Sequence, residues 1–430
     1  MTQPTIQQAY DQALRHHQAG RLNEAEQSYR QVLSRQPDHP GALNHLGVIA
    51  NQRRQGDVAL DLIRRSIALN PSAPDAHCNL GIALRDAGQL DEAIAAFHRA
   101  ITLNSKFALA HANLGIALKD KGQLDLSIAA LRKAIALSPD FAEARINLGN
   151  ILKDNGQLEE AMTLLRQAIA LNPGIPEAHN NLGAAQKAAE QLDEAIASFR
   201  RAIALRPDYA EAHNNLGIAL QDNGQLDEAI AAIRQAIALK PDFAQAHNSL
   251  GSALRSKGQL NDSVAAIRRA IALSPDYPDA FDNLGSSLHA LDQLQESAAA
   301  FRQAIALRPN YAEAFSNLGI TLKDLGRLDE AIAASRQAMS LKPDLSAAHS
   351  NLILVLHYHP EYDAKAIAQE LDRWNRQHAQ PLRKFIQPHS NDRAPDRRLK
   401  IGYISPDFRN HVVGRNLLHL FQHHDRRQFE

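Results

Sequence analysis

One pattern of apolar and polar positions recurs along most of the chain at a spacing of 34 residues. Its most constant part is a leucine followed by a glycine, usually within the segment NLG. With that leucine at the seventh place, the frame gives ten repeats over residues 6–345 and starts an incomplete eleventh repeat at Ser346. The leucines are Leu46, Leu80, Leu114, Leu148, Leu182, Leu216, Leu250, Leu284 and Leu318.

Each repeat is predicted to contain two helices, A and B, joined by a short turn. The turn reads GQLDEA at Gly88 and Gly224, so a helix-ending glycine precedes acidic residues in the first turn of helix B. Because Glu190 and Asp292 replace this glycine, we expect frayed helix ends there. Helix B ends before a proline, which resists helix continuation. These prolines are Pro139, Pro173, Pro207, Pro241, Pro275, Pro309 and Pro343.

The eighth-place glycine lies inside helix A, for example at Gly81 and Gly149. A glycine in a helix interior costs about 1 kcal/mol relative to alanine, so something must offset it. The facing places of helix B carry small residues such as Ala93 and Ala161. We therefore expect the hairpin to close through small residues that face each other.

A period of 34 with this leucine, glycine and proline content resembles the tetratricopeptide repeat. The resemblance implies an all-α fold, a right-handed tetratricopeptide α-solenoid. We assign an N-terminal tail to residues 1–5, ten repeats to 6–345, and a partial eleventh repeat with a helical cap to 346–378. A cap is expected because the end of a solenoid must cover its last apolar face.

Composition and charge narrow the class of function. Lys plus Arg and Asp plus Glu both total 47, so no global field favours nucleic acid or an anionic membrane, and we expect neither as a partner. No apolar run approaches the roughly 18 residues of a membrane span, and the N-terminus lacks the features of a signal peptide. With a single cysteine, Cys78, these features predict a cytoplasmic protein.

The sixth place of the repeat is asparagine in eight repeats, which points to a binding function. A carboxamide both donates and accepts, so it can pair with the backbone of an extended peptide. A helices about 10 Å apart would meet a chain that advances about 3.3 Å per residue at every third residue. These residues are Asn79, Asn113, Asn147, Asn181, Asn215, Asn283, Asn317 and Asn351.

Two interpretations of the asparagines stay open. In the tetratricopeptide family helix A lines the inner surface, so the resemblance implies a concave groove for client proteins or extended peptides. Alternatively, the asparagines were copied with the repeat, or each bonds a neighbouring helix and fixes the superhelix. Histidines beside them are expected to line a groove edge or to pack, because one histidine per repeat is too sparse for a metal site. They are His77, His111, His179, His213 and His247.

The pattern stops after Trp374, and a different organisation follows. Residues 379–398 are polar, rich in arginine and interrupted by prolines, which predicts a linker. Residues 399–430 open with LKIGYIS, a predicted strand, and continue through the loop PDFRNH to an amphipathic stretch, a predicted helix. We expect the start of a second, α/β unit here.

The stretch RRLKIGYISPDFRNHVVGRNLLHLFQHHDRRQFE resembles the opening of the catalytic domain of the protein O-GlcNAc transferases, particularly their bacterial, SPINDLY-like branch. The resemblance implies a tetratricopeptide superhelix ahead of a glycosyltransferase of two Rossmann-like lobes. Such enzymes move N-acetylglucosamine from UDP-GlcNAc to serine or threonine of proteins, and an asparagine row grips the substrate backbone. The matching residues are Gly402, Tyr403, Ser405, Asp407, Phe408 and His411.

His411 is the one residue that matches a family active-site position, and it is our candidate catalytic residue. A neutral imidazole in a strand-to-helix loop can take or orient a hydroxyl proton near pH 7. Alternatively, His411 only bonds local backbone. The resemblance implies that the residues for UDP-GlcNAc lie in a second lobe that this sequence lacks. We therefore predict no cofactor-binding residue in the chain, no metal site and no sugar transfer by the chain itself.

Three functions remain open from the sequence. The first is the polypeptide-binding superhelix of a protein O-GlcNAc transferase. The second is a non-enzymatic tetratricopeptide scaffold for protein–protein interaction. The third is a protein O-fucosyltransferase, because a plant branch of similar architecture transfers fucose from GDP-fucose.

Overall fold

The computed structural model describes residues 5–385, and this part of the chain is helical throughout, without a β-strand. The all-helical solenoid predicted from the repeat is thereby confirmed. The predicted strand and helix of residues 399–430, and most of the predicted linker, lie outside the described residues. Within residues 5–385, no helix combines the length and the apolar character needed to cross a bilayer.

Twenty of the helices form ten hairpins, in which each A helix has 13 residues and each B helix has 14. The first five hairpins are α1 (Ile6–Gln18) with α2 (Leu22–Arg35), α3 (Pro40–Gln52) with α4 (Gly56–Leu69), α5 (Pro74–Asp86) with α6 (Leu90–Leu103), α7 (Ala108–Asp120) with α8 (Leu124–Leu137), and α9 (Ala142–Asp154) with α10 (Leu158–Leu171). The next five are α11 (Pro176–Ala188) with α12 (Leu192–Leu205), α13 (Ala210–Asp222) with α14 (Leu226–Leu239), α15 (Ala244–Ser256) with α16 (Leu260–Leu273), α17 (Pro278–Ala290) with α18 (Leu294–Leu307), and α19 (Ala312–Asp324) with α20 (Leu328–Leu341).

The last part of the described chain departs from the repeat. Helix α21 (Ser346–Tyr358) takes the place of an A helix, and the shorter α22 (Ala364–Trp374) replaces the regular B helix. Asp363 caps α22 by accepting a hydrogen bond from the Ala366 N–H at 2.8 Å. A π-helical turn (Asn375–Ala379) and a 3₁₀ segment (Gln380–Phe385) follow, so helical structure runs past residue 378.

The A helices and B helices form two layers with different contacts. From α3 onward, each A helix directly contacts the A helix of the next repeat. Each B helix contacts the A helix of its own hairpin and the A helix that follows, and no two successive B helices make a comparable contact within residues 5–385. The A layer is therefore the more tightly spaced of the two.

The eighth-place glycine of helix A faces a large side chain of helix B, which corrects the expectation that small residues face each other. A methyl group added at Gly149 would lie 2.8 Å from Leu165 Cγ and 3.3 Å from the Ala161 carbonyl oxygen. At Gly81 the neighbouring side chain is Phe97. In eight hairpins the glycine thus leaves room for one large apolar residue, whereas Gly319 of the tenth hairpin faces Ser335.

The turns at Glu190 and Asp292 are not frayed, so that expectation is wrong. Both residues adopt the left-handed conformation of the turn glycines, with φ of 59° and 61°, compared with 78° at Gly224. Arg54, which the sequence analysis did not mark, does the same at φ 59°. A residue other than glycine costs roughly 1–2 kcal/mol in this conformation, so the flanking helices must impose it.

Candidate functional site

The eight sixth-place asparagines form one column on the A helices, and we call the side that carries them the asparagine face. Seven of them are half-buried, and the side chain of Asn113 is buried. Each asparagine is followed by the seventh-place leucine of its helix, which is buried or half-buried. The column members are Asn79, Asn113, Asn147, Asn181, Asn215, Asn283, Asn317 and Asn351.

Five of the eight asparagines donate a side-chain N–H to a fifth-place side-chain oxygen of the preceding repeat. The Nδ2 of Asn215 lies 3.1 Å from Asn180 Oδ1, and the Nδ2 of Asn283 lies 3.0 Å from Asn248 Oδ1. The interpretation that asparagines bond a neighbouring helix is therefore confirmed at these places. The other three bonds join Asn79 to Asn44, Asn317 to Asp282, and Asn351 to Ser316.

The remaining asparagines, Asn113, Asn147 and Asn181, make no bond to a fifth-place oxygen because the preceding fifth place carries none. Asn113 donates to the Cys78 sulfur of the preceding repeat at 4.0 Å, and to the carbonyl oxygen of Leu109 on its own helix at 3.0 Å. Asn181 accepts a long bond from Asn180 at 3.5 Å, and within residues 5–385 Asn147 has no side-chain hydrogen bond. The fifth-place residues concerned are Cys78, Ala112 and Ile146.

Ser249 interrupts the column and leaves one acceptor unused. Its hydroxyl donates to the carbonyl oxygen of Gln245 on its own helix at 2.9 Å. The fifth-place residue of the preceding repeat, Asn214, is only 5% exposed, and its Oδ1 is buried with no hydrogen-bond partner among the described residues. The role of the fifth place was not predicted from the sequence, although asparagine recurs there in three consecutive repeats, at Asn180, Asn214 and Asn248.

A carboxylate replaces the carboxamide acceptor at one fifth place. Burial raises the pKa of Asp282, while the N–H of Asn317 and the charge of Arg255 act in the opposite direction. The Nε of Arg255 is itself buried without a hydrogen-bond partner in the described chain. This boundary therefore holds a negative charge that the fold accommodates less well than water does.

Charged side chains at the twelfth and thirteenth places pair along the A layer. Lys187 Nζ lies 2.9 Å from Asp222 Oδ2 of the next repeat, and Lys153 lies 3.0 Å from its neighbour Asp154. Because these pairs are largely exposed, each contributes little to stability, about 0–1 kcal/mol. Each of these two lysines is neutralised by a neighbouring aspartate.

The recurring histidines anchor helix A to the turn before it. The Nε2 of His213 lies 3.0 Å from the Pro207 carbonyl oxygen, and the same contact recurs at a separation of six residues. Within residues 5–385, no group of three or more His, Cys, Asp or Glu side chains is arranged to hold a metal. The other histidines with this contact are His77, His111, His179 and His247.

The cap holds a pair of facing histidines, of which His349 is buried and His378 is half-buried. His349 on α21 is 1% exposed, and its Nε2 lies 2.8 Å from Glu370 Oε1 on α22. Its Nδ1 lies 3.3 Å from His378 Nε2, so two imidazole nitrogens face each other. Trp374 adds a hydrogen bond to the Ser350 hydroxyl at 3.1 Å. Polar contacts of α21 with α22 and the following turn therefore help to hold the cap. The candidate catalytic residue His411 lies outside the described residues.

Family models of the tetratricopeptide repeat match almost the whole helical region. Matches at residues 10–74, 62–95, 81–224 and 214–278 form a continuous run, and further matches cover 285–326 and 312–345. The chain belongs to the tetratricopeptide-repeat family. No curated protein matches it.

Several solved structures resemble the chain. The crystal structure of the APC/C hetero-tetramer Cut9–Hcn1 matches 85% of this chain and 92% of that chain, with a TM-score of 0.51 and 13% identity, a likeness of fold alone. The crystal structure of MamA matches 38% of this chain and 95% of that chain, with 31% identity and a TM-score of 0.34. YrrB, described as a TPR protein with an unusual peptide-binding site, matches 46% of this chain and 99% of that chain, with 25% identity and a TM-score of 0.37.

Proposed function

We propose that the chain binds extended polypeptide segments along the asparagine face, as the client-binding part of a protein O-GlcNAc transferase. The observation that carries the binding proposal is the asparagine column, which repeats one half-buried carboxamide on successive A helices. A carboxamide pairs with backbone N–H and C=O groups and does not depend on the client's side chains. Such a face suits many different clients.

The contacts between helices support a concave position for this face. Successive A helices contact each other directly, whereas successive B helices make no comparable contact in residues 5–385. In a curved stack the more tightly spaced layer lies on the inside of the curve. The A helices would then line the groove, and an extended client would pass along one asparagine after another.

The hydrogen bonds between repeats are compatible with client binding. A carboxamide has two N–H donors and an oxygen with two lone pairs. The bond from Asn215 to Asn180 uses one donor of Asn215. The second donor and the oxygen remain for a ligand, so one asparagine can both join two repeats and contact a client.

The transferase part of the proposal rests on the sequence resemblance of residues 397–430, with His411 as the candidate catalytic residue. UDP-GlcNAc would be the donor substrate, and the enzyme would act on cytoplasmic proteins. Transfer requires the donor's anomeric carbon to face the acceptor hydroxyl, together with groups that stabilise the leaving diphosphate.

The binding proposal is tested by titrating the chain with a fluorescein-labelled peptide of serine and threonine and following fluorescence anisotropy. We expect saturable binding that weakens when backbone N–H groups of the peptide are methylated. Binding that ignores backbone methylation would contradict recognition of the peptide backbone.

The transferase proposal needs a chain extended through both catalytic lobes. With UDP-GlcNAc, this chain should add one N-acetylhexosamine to the peptide, detected by mass spectrometry, and its His411→Ala variant should not. Transfer from GDP-fucose instead would support the fucosyltransferase alternative. Peptide binding without transfer from either donor would support the scaffold alternative.

A further inference from the structure

The fifth-place side chain of one repeat determines how much hydrogen-bonding capacity the next asparagine retains. Where the fifth place carries an oxygen, as at Asn180, the next asparagine commits one N–H to it. Where the fifth place is Ala112 or Ile146, no such acceptor exists, and Asn147 and Asn181 make no bond to the preceding repeat through Nδ2 in the described chain. The asparagines of the column are therefore not equivalent.

Helices α9 and α11 carry the asparagines with the most unused capacity. Asn150 lies one turn after Asn147 on α9, is also half-buried, and makes no side-chain hydrogen bond within residues 5–385. Asn150 occupies the ninth place of its repeat. In most other repeats this place is apolar, for example at Ile116 and Ile218, and on α11 it is the small residue Ala184. Two carboxamides on α9 and one on α11 thus lie on the same face. On α11, the small Ala184 lies one turn after Asn181.

We infer that α9 and α11 form the principal backbone-binding section of the asparagine face, with Asn147, Asn150 and Asn181 contacting N–H and C=O groups of an extended polypeptide. The five asparagines bonded to a fifth-place oxygen of the preceding repeat mainly hold the repeats together. This inference rests on the proposed peptide binding and adds Asn150, which lies outside the column.

The physical basis is the cost of binding at each type of asparagine. Asn147 exchanges hydrogen bonds to water for hydrogen bonds to the ligand and gives up no bond within the protein. At Asn215 the amide plane is held by its bond to Asn180, so a ligand must accept that orientation or break the bond. An opposing effect is preorganisation, because a fixed amide loses less entropy on binding. If free bonding capacity matters more, removing Asn147 should cost more affinity than removing Asn215. If preorganisation matters more, the order should be reversed.

The lysine charges of this section are paired. Lys153 pairs with Asp154, and Lys187 pairs with Asp222, at 3.0 and 2.9 Å. Arg145, two residues before Asn147 on α9, donates its Nε to Gln167 Oε1 at 3.3 Å. Recognition at this section therefore rests on the three carboxamides, which match the neutral amide groups of an extended peptide.

The main test compares two triple variants of the full chain. The probe is a fluorescein-labelled peptide of about ten serine and threonine residues, enough to span roughly 30 Å and three A helices. The α9–α11 triple variant replaces Asn147, Asn150 and Asn181 by alanine. It should weaken peptide binding at least about tenfold and leave the melting temperature unchanged. The matched control replaces another three asparagines by alanine and should lower the melting temperature but weaken binding less than about threefold. The control residues are Asn215, Asn283 and Asn317.

A second variant tests the same idea by adding a bond. Ile146 is 7% exposed, and its equivalents Asn180 and Asn214 show that asparagine fits this place. Ile146→Asn provides an acceptor for Asn181, so we expect about threefold weaker peptide binding. Stronger binding would mean that fixed amides bind best, and it would overturn the inference.

The outcomes separate this inference from the proposed function. If the unmodified chain binds neither the serine–threonine peptide nor its N-methylated form, peptide binding itself fails, and the inference fails with it. If the unmodified chain binds but the α9–α11 triple variant binds equally well, only the inference fails. A larger loss of affinity in the control triple variant also overturns the inference and leaves peptide binding intact.

Discussion

Asn215 donates its side-chain N–H to Asn180 Oδ1 at 3.1 Å, across the boundary between two repeats. The bond joins the sixth place of one repeat to the fifth place of the repeat before it. Hydrogen bonds of the same type occur at four further boundaries. Where two such bonds follow each other, as at Asn283 and Asp282, one repeat contributes a partner on each side. The identity of one side chain therefore affects the stability of the next interface.

Replacing Ser249 by asparagine should restore the bond that the column lacks. The added Nδ2 can donate to Asn214 Oδ1, which is buried without a partner in the described chain. Satisfying such an acceptor should raise the free energy of unfolding by about 0.5–1.5 kcal/mol. The measurement is native-state hydrogen exchange of the amides in α13 and α15.

Ser249→Ala is the matched control for that variant. It removes the hydroxyl that donates to the Gln245 carbonyl oxygen and supplies no partner for Asn214. We expect hydrogen exchange in α13 and α15 to stay the same or to become faster. Equal protection in the asparagine and alanine variants would show that the bond contributes nothing.

The helices of the repeat could be predicted from the sequence because their signals are local. The turn glycine and the proline after helix B are read within one repeat, and the structure ends α13 at Asp222 and starts α14 at Leu226 around Gly224. The asparagine column was also visible as a period. Its bond to the fifth place was not, because a separation of 35 residues has meaning only once the facing sides of successive A helices are known.

The packing of the helix A glycine was predicted only in part for a similar reason. The sequence indicates that something must approach Gly149 closely. It does not show whether Ala161 or Leu165 fills the space, since both lie on the buried side of α10. The structure shows that the methyl of an alanine at this glycine would meet the leucine side chain. Only the crossing of the two helices decides this.

Glycine should stabilise the three turns that lack it. Arg54, Glu190 and Asp292 hold φ near 60°, a conformation that glycine adopts without steric cost. Arg54→Gly and Glu190→Gly should each raise the unfolding free energy by about 1 kcal/mol, and Asp292→Gly by less, because aspartate tolerates this conformation better. Chemical unfolding followed by circular dichroism measures the change. Gly224→Ala is the reverse control and should destabilise by a similar amount; an increase in stability there would contradict the argument.

Ser335→Ala should stabilise the tenth hairpin. The Ser335 hydroxyl is fully buried and has no hydrogen-bond partner within residues 5–385, which costs about 1–3 kcal/mol. A methyl group added at Gly319 would lie 2.7 Å from this hydroxyl, so Gly319→Ala should be tolerated better in the Ser335→Ala background. Native-state hydrogen exchange of α19 and α20 in the two single variants and the double variant measures the coupling. Additive effects would show that the two side chains do not interfere.

Replacing Asp282 by asparagine should stabilise the boundary between α17 and α19 at neutral pH. Burial raises the pKa of Asp282, so the folded state disfavours its charge once the pH exceeds that pKa. Asparagine can still accept the N–H of Asn317 through Oδ1. The stability gain over the unmodified chain should be largest near pH 7 and should shrink as the pH falls toward about 4, where the unfolded-state carboxyl also becomes neutral. Urea unfolding at several pH values tests this, and a gain independent of pH would exclude the charge as its cause.

Acid should loosen the cap. Burial lowers the pKa of His378, the facing His349 lowers it further, and Asp344 acts in the opposite direction. Because the folded-state pKa lies below the unfolded value of about 6.5, the contribution of His378 to cap docking is complete above pH 6.5 and falls as the pH drops from 6.5 through the folded pKa. Trp374, the single tryptophan, lies 5.7 Å from His378 between ring centroids, so its fluorescence reports on the cap.

We expect the emission of Trp374 to shift to longer wavelength below about pH 6.5, as the cap opens and water reaches the indole. His378→Gln keeps a polar side chain at this position but does not titrate, so the shift should disappear in that variant. His357→Gln is the matched control on α21. Within residues 5–385 His357 bonds only the Ile353 carbonyl oxygen of its own helix, at 2.8 Å, so the shift should persist in this variant. A shift of the same size in the His378→Gln variant would assign the acid response to another group and contradict the role of the histidine pair in cap docking.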